Sequence, residues 1–260
     1  MAYQMILYNI KDGVAIITLN TPEKLNSLDY DTVDELTSVI LEAGADDSVG
    51  AIVLTGAGRS FCAGGDVKEM LTGYTTVGAY KQMGKYHRMS SEISNVKKPV
   101  IGAINGLAVG GGFALAILCD ILIAAEDTKF RFIFKNVSLV PDLGVIYYLT
   151  KMLGAQKMKE LVFTDKLILA EEACRLGFVS KVVAPDKLME EAFQLAKNLA
   201  AGPRVMLQYT KKMINMASEN SIATMLEMEA RAQTELFQTE DHKIAVKAFI
   251  NKEKPVFIGK

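Results

Sequence analysis

KPVIGAINGLAVGGGFALAILCD, residues 98–120, decides how the chain folds. An apolar strand is expected over residues 99–104, Asn105-Gly106 makes a turn, and Gly110, Gly111 and Gly112 precede an apolar run that ends at Cys119 and Asp120. The three glycines fall where a helix should open. Backbone N–H groups there can approach an anion or a polarised carbonyl with no Cβ in the way. Downstream, SLVPDLGVIYYL at residues 138–149 puts Asp142 after Pro141, in what reads as the first turn of another helix. The helix dipole favours an ionised carboxylate at such a position, and plain N-capping is the competing role.

Outward from this stretch, short apolar strands alternate with helices. Residues 5–10 and 14–19 read as two strands around Lys11-Asp12-Gly13, an Asp-Gly pair suited to a tight hairpin. Val33, Leu36, Val39, Ile40 and Ala43 make one apolar face of a helix over residues 30–45. A buried strand over 51–54 runs into GAGRSFCAGGDVKEM, residues 56–70, a glycine-rich loop before a helical turn. A helix is expected over 75–95, stopped by Lys97-Lys98-Pro99. Residues 121–125 form another fully apolar strand, and two such strands separated by a helix imply a parallel crossover. From Gly154 the pattern is helical except for a strand over 179–183. The expectation is an α/β core spanning 1–200 with a C-terminal helical layer, 201–260, as a small subdomain.

Composition excludes several function classes. The 260 residues are 50% apolar with a net charge of −1, enough for a large core and without the basic stripe that nucleic-acid binding requires. Cys62, Cys119 and Cys174 are far apart and contain no Cys-x-x-Cys pair, which suggests reduced thiols in a cytoplasmic protein. His87 and His242 are the two histidines, with no ligand spacing around either, so no metal site is expected. No apolar run approaches the roughly 20 residues of a membrane span, so no membrane partner is expected.

The clusters Gly64-Gly65 and Gly110–Gly112 suit an oxyanion hole or a phosphate cradle, with tight packing as the competing reading. Neither spells Gly-x-Gly-x-x-Gly, and no P-loop or Gly-x-Ser-x-Gly elbow is present, which disfavours nicotinamide, nucleotide-triphosphate and serine-hydrolase chemistry. His87, within QMGKYHRMSSEI at residues 82–93, reads as a surface residue. The residues themselves support an anion-friendly glycine site and one carboxylate, and name no substrate.

The order of IITLNTPEKLNSLD (16–29), SFCAGGDVKEM (60–70), KPVIGAINGLAVGGG (98–112), CDILIAAEDTKF (119–130), ILAEEACRLGFVSKVV (168–183) and AFINKEKPVFIGK (248–260) resembles the crotonase, or enoyl-CoA hydratase/isomerase, superfamily. The resemblance implies a spiral of ββα turns with C-terminal helices that trimerise, as a homotrimer or a dimer of trimers. It implies an acyl-CoA substrate, with coenzyme A as part of the thioester and no tightly bound cofactor. It also places the Gly65 and Gly111 amides at the two oxyanion-hole positions. Ala63, Gly65, Asp66 and Val67 match the loop along which CoA lies, Lys24 the loop beside its phosphates, and Phe249 and Lys252 the residues that reach its nucleotide end.

Departures from the family pattern bear on the reaction. Hydratases of the superfamily use two glutamates, and the matching positions here hold Ala114 and Phe134. Hydration needs one group to activate water and another to deliver a proton, and two apolar side chains do neither. Asp142 instead matches the single carboxylate of enoyl-CoA isomerases, and FIFKNVSLVPDLG (132–144) resembles ring-epoxide isomerases of phenylacetyl-CoA breakdown. An apolar surround of Phe134, Val140, Leu143 and Tyr147 is expected to raise its pKa. A rival within the superfamily is 4-chlorobenzoyl-CoA dehalogenase chemistry, with Asp142 as nucleophile and His87 activating water, although the tryptophan which that enzyme carries at Phe134 is missing. A non-catalytic binder of CoA esters is the alternative outside catalysis. Pocket walls are expected from residues 71–89 and 130–149.

Overall fold

The computed structural model describes residues 3–70, 73 and 75–260. A hairpin opens the chain, β1 (Ile6–Lys11) and β2 (Val14–Leu19), paired antiparallel through a turn in which Asp12 and Gly13 both have positive φ. This is the backbone a two-residue Asp-Gly turn needs. Helix α1 (Tyr30–Ala45) follows, capped by Asp29, whose carboxylate accepts from the Thr32 amide at 2.9 Å.

Three strand pairs then repeat one pattern. They are β3 (Ala51–Gly56) with β4 (Ser60–Cys62), β5 (Val100–Ile104) with β6 (Leu107–Val109), and β7 (Ile121–Ala125) with β8 (Lys129–Arg131). Helices α2 (Val67–Met70) and α3 (Thr76–Asn95) separate the first pair from the second, and α4 (Gly111–Ile117) the second from the third. Helices α5 (Val145–Leu153) and α6 (Ala155–Thr164) lead to β9 (Ile168–Leu169), α7 (Ala170–Leu176), β10 (Lys181–Val183) and α8 (Leu188–Ala200). The chain closes with α9 (Arg204–Ala217), α10 (Ile222–Leu236) and α11 (Glu240–Asn251).

The first strand of each pair joins a six-stranded sheet ordered β1-β2-β3-β5-β7-β10, parallel from β2 onward. The second joins a four-stranded sheet ordered β4-β6-β8-β9. Each ββα turn thus adds one strand to both layers, the spiral of ββα turns that the resemblance implied. The parallel crossover expected between residues 99–104 and 121–125 is β5 beside β7. Strands β4, β6, β8 and β9 were not expected from the sequence. Each has two or three residues, too few for a periodic signal.

Corners between the sheets are fixed by two asparagine side chains, Asn26 buried and Asn105 half-buried. Asn26 accepts from the Thr21 amide and donates to the carbonyls of Ala57 and Ser60. Asn105 donates to the Gly58 carbonyl. Beside it Gly106 has φ +58°, and a Cβ there would stand 2.0 Å from the Arg59 carbonyl oxygen. The central parallel strands are buried on both faces, β3 and β5 almost without break. One face packs on the large core containing α1 and α4, the other on Leu188, Ala192, Ala196 and Ala200 of α8.

Cys62 and Cys119 are buried and Cys174 partly so, all three as free thiols. Helix α9 is tied to the core by Lys211, whose ammonium meets Asp120 at 2.7 Å. No helix among the described residues is long and apolar enough to cross a membrane.

Gly112 and Gly84 separate backbone packing from helix propensity. A Cβ on Gly112 would lie 2.1 Å from the Cys62 carbonyl oxygen, whereas Gly84, within α3, has nothing within 4 Å. Gly112→Ala is expected to lower stability by about 3 kcal/mol or more, and Gly84→Ala to raise it by about 0.5–1 kcal/mol. Thermal unfolding of the two variants checks this, and an unharmed Gly112→Ala protein would contradict the packing.

Candidate active site

Strands β4 and β6 are parallel neighbours, so the turns leaving their C-terminal ends emerge side by side. The first turn carries Gly64 and Gly65, the second Gly110 and Gly111. Gly64 (φ +93°) and Gly110 (φ +55°) both lie in the left-handed half of backbone space. A Cβ on Gly111 would stand 3.7 Å from the Gly65 nitrogen, and one on Gly64 would stand 3.1 Å from the Gly111 nitrogen. The two amides are therefore close together. Among the described residues neither donates to a backbone carbonyl. The Gly111 amide belongs to the first turn of α4, where no intrahelical acceptor exists.

Both glycine turns open onto a cavity of about 340 Å³. One wall is α3, which presents Ala79, Gln82, Met83 and Tyr86. That spacing of three, one and three residues puts them on one helical face. Tyr86 donates its hydroxyl to the Leu28 carbonyl at 2.8 Å, and the Leu28 amide donates to the Gly64 carbonyl at 2.7 Å. The helix is thereby fixed against the first glycine turn. Ile133, Phe134, Val137, Leu139, Asp142 and Leu143 form the opposite wall, and Asp66, Val67, Glu69 and Met70 stand beside the Gly65 turn.

Asp142 does not lie in the first turn of a helix and does not cap one, in contrast to the sequence expectation. Helix α5 starts at Val145, and Leu143 (φ +53°) and Gly144 (φ +81°) turn the chain between them. Leu143 and Val145 are both buried, and Ser90 of α3 donates to the Leu143 carbonyl at 3.0 Å. These anchors turn Asp142 into the cavity. Its Oδ1 is enclosed and has no hydrogen-bond partner among the described residues. Burial pushes its pKa up from 3.8 to about 6, against smaller opposing effects of its own backbone amide and of the charge on His87. Of the four residues expected to surround it, Phe134 and Leu143 line the cavity, whereas Val140 is 77% exposed and Tyr147 turns outward to Glu219.

The loop before Asp142 is strained and held. Ile133 has φ +57°, rare for a β-branched residue. The carboxylate of buried Asp165 accepts from the Ile133 amide at 2.8 Å, from Asn136 at 2.9 Å and from Arg131 at 2.6 Å.

Ala63, Gly65, Asp66, Val67 and Gly111 line the cavity with Asp142. The other sequence candidates are not brought there. His87 is exposed on α3 outside the cavity lining and acts on Asp142 through space alone. Lys24 is exposed and bridges Asp29 at 3.2 Å. Phe249, 86% exposed near the end of α11, and exposed Lys252 just beyond it also lie outside the lining. Among the expected wall residues, Leu71, Thr72 and Tyr74 are outside the described residues. Ala114 is fully buried in the core behind Gly111.

Gln82 and Tyr86 fall within the wall segment 71–89 that the sequence implied, though neither was singled out there, and Glu69 was missed. Glu69 is a third carboxylate on the wall, beside Asp66 and Asp142, its pKa raised by burial while it accepts from the Tyr30 backbone amide. The four-residue spacing of Gln82 and Tyr86 was the available signal, and the apolar residues around them concealed it. No group of three or more His, Cys, Asp or Glu among the described residues could hold a metal ion.

A family model described as enoyl-CoA hydratase/isomerase matches residues 9–260. The short-chain-enoyl-CoA hydratase of Clostridium acetobutylicum is 39% identical over 247 residues, covering 94% of each chain. The 1,2-epoxyphenylacetyl-CoA isomerase of Escherichia coli is 34% identical and covers 99% of each. The crystal structure of an enoyl-CoA hydratase from Bacillus anthracis is similar at a TM-score of 0.93 and 30% identity, over 99% of this chain and 100% of that one.

The raised pKa of Asp142 has a thermodynamic consequence. Its folded value, about 6, lies above the ordinary 3.8, so the stability this group contributes is complete below pH 3.8, where folded and unfolded states both hold the proton. That contribution is lost as pH rises through about 6. Asp142→Asn cannot ionise and is expected to be more stable than the natural protein at pH 7.5, by up to about 3 kcal/mol, with the two converging near pH 4. Unfolding measured at both pH values checks this, and a pH-independent difference would contradict an enclosed carboxyl.

Proposed function

The chain belongs to the enoyl-CoA hydratase/isomerase family, and from that premise we propose that it shifts a carbon–carbon double bond in an acyl-CoA thioester, with Asp142 as the one acid/base. The observation that carries this reading is the buried Asp142 Oδ1, without a partner among the described residues, on a residue that lines the same cavity as Gly65 and Gly111. The thioester oxygen accepts from the two amides. Asp142 takes a proton from the carbon next to the thioester, and the C–H electron pair passes into a dienolate whose negative charge rests on that oxygen. The same carboxyl returns the proton at the γ-carbon, so the double bond moves from β,γ to α,β with no change in composition. Two fixed donors suit such a charge, and losing one typically costs about 3 kcal/mol. A carboxyl with a pKa of about 6 is matched to taking and returning a proton near neutrality.

Isomerisation is preferred over hydration because Phe134 and Ala114 stand where hydratases of the family carry glutamates. In this reading Ala63, Asp66 and Val67 guide the CoA moiety, and Lys24, Phe249 and Lys252 meet its phosphate and nucleotide end. Residues 201–260 form an oligomerisation subdomain, in a homotrimer or a dimer of trimers. Exposed Ile214, Ile222, Leu226, Phe249 and Ile250 on α9, α10 and α11 support the assembly.

The test is solvent exchange with a β,γ-unsaturated acyl-CoA in heavy water. Deuterium is expected at the α- and γ-carbons together with the α,β-isomer, and Asp142→Asn is expected to lower the rate by about 10²–10⁴-fold. His87→Gln is expected to leave the rate within a few-fold. A product carrying a water-derived oxygen, or undiminished exchange in Asp142→Asn, would overturn the reading.

A further inference from the structure

We propose that Gln82 selects acyl groups bearing a hydrogen-bond-accepting oxygen, such as an ether, epoxide or ketone, several bonds from the thioester; this rests on the acyl-CoA reading above. Gln82 lies on the cavity face of α3, and its Nε2 is fully enclosed with no hydrogen-bond partner among the described residues. An amide N–H left unpaired away from water is unfavourable, and a leucine would fill the same volume without that penalty. Other polar side chains on the wall have partners. Tyr86 donates to Leu28, Glu69 accepts from the Tyr30 amide, and Asp66 accepts from the Lys68 amide at 2.8 Å. Among the described residues that line the cavity, two enclosed side-chain atoms are left without a partner, the Asp142 Oδ1 acceptor and the Gln82 Nε2 donor. The first is assigned to the reacting carbon, and the second has no role in moving the double bond.

Helix geometry places the second away from the thioester. Tyr86 binds Leu28, which binds the Gly64 turn, so Tyr86 marks the level of the paired amides on α3. Gln82 is one turn before it, about 6 Å along the axis at 1.5 Å per residue. Its neighbours on that face, Ala79 and Met83, are apolar. A hydrocarbon acyl group would pack against them and leave the amide unpaired, whereas an oxygen at that depth would accept from it.

The experiment compares two β,γ-unsaturated acyl-CoA esters of equal length, one with an ether oxygen in place of a distal methylene. Natural protein is expected to favour the ether ester at least 10-fold in kcat/KM. Gln82→Leu is expected to lose 10- to 100-fold on the ether ester while holding or gaining on the hydrocarbon ester. Gln82→Met serves if the leucine protein does not accumulate. An equal fall on both esters, which would put Gln82 on the pantetheine amides common to both, or a natural preference for the hydrocarbon ester, would overturn the proposal. Dissociation constants for the two esters on Asp142→Asn protein keep the questions apart. The ether preference is expected to persist there, and it can be read even if double-bond migration is not the reaction.

Discussion

At the centre of the molecule the Cys62 carbonyl lies so close to Gly112 that no side chain fits between them. This is one backbone pressed on another, and both glycine turns depend on it. Strand β4 can lie beside β6 only if Gly112, the second residue of the helix leaving β6, has no Cβ. With that helix in place, the Gly111 amide stands next to that of Gly65. Similar contacts recur where strands change sheets, at Gly56 against Ser60 and Phe61 and at Gly106 against Arg59. The spiral is therefore held by close backbone approach at its corners, while the apolar strands supply bulk burial.

On the opposite wall the ordering agent is a carboxylate. Ile133 in the left-handed region costs about 1–3 kcal/mol, and Asp165, joined to Ile133, Asn136 and Arg131, offsets it. Gly110 and Ile133 are in close contact: a Cβ on the glycine would reach within 3.2 Å of Ile133 Cγ2. Strain in one loop and a bare backbone in the other thus meet at the cavity edge. Leu143 and Gly144 repeat the device a turn later, with buried side chains fixing a left-handed bend that aims Asp142 inward. Enclosure raises the Asp142 pKa, so the fold gives up stability at neutral pH to hold a carboxyl out of water.

Much of the large sheet and most helices were legible because their apolar residues recur at a clear period. Helix α1 and strand β7 have the bounds the pattern implied. The small sheet was not legible, because three-residue strands have no period and their pairing is set by the corners. Gly65 and Gly111 were legible as glycines beside strand ends. Asp142 was visible as a carboxylate after a proline, but its setting was misjudged. Pro141 suggested a helix start, whereas two consecutive positive-φ residues delay that helix to Val145. Gln82 was hidden because a single polar residue on an amphipathic helix looks the same in sequence whether it faces water or a cavity.

The most direct test of the account is the ionisation of Asp142 itself. With aspartate carboxyl carbons labelled with ¹³C and the Asp142 signal assigned by its loss in Asp142→Asn, the side chain can be titrated in the intact protein. An enclosed carboxyl is expected to titrate with a midpoint of about 6. A midpoint near the ordinary aspartate value of about 4 would place it in water and contradict the arrangement on which the account rests.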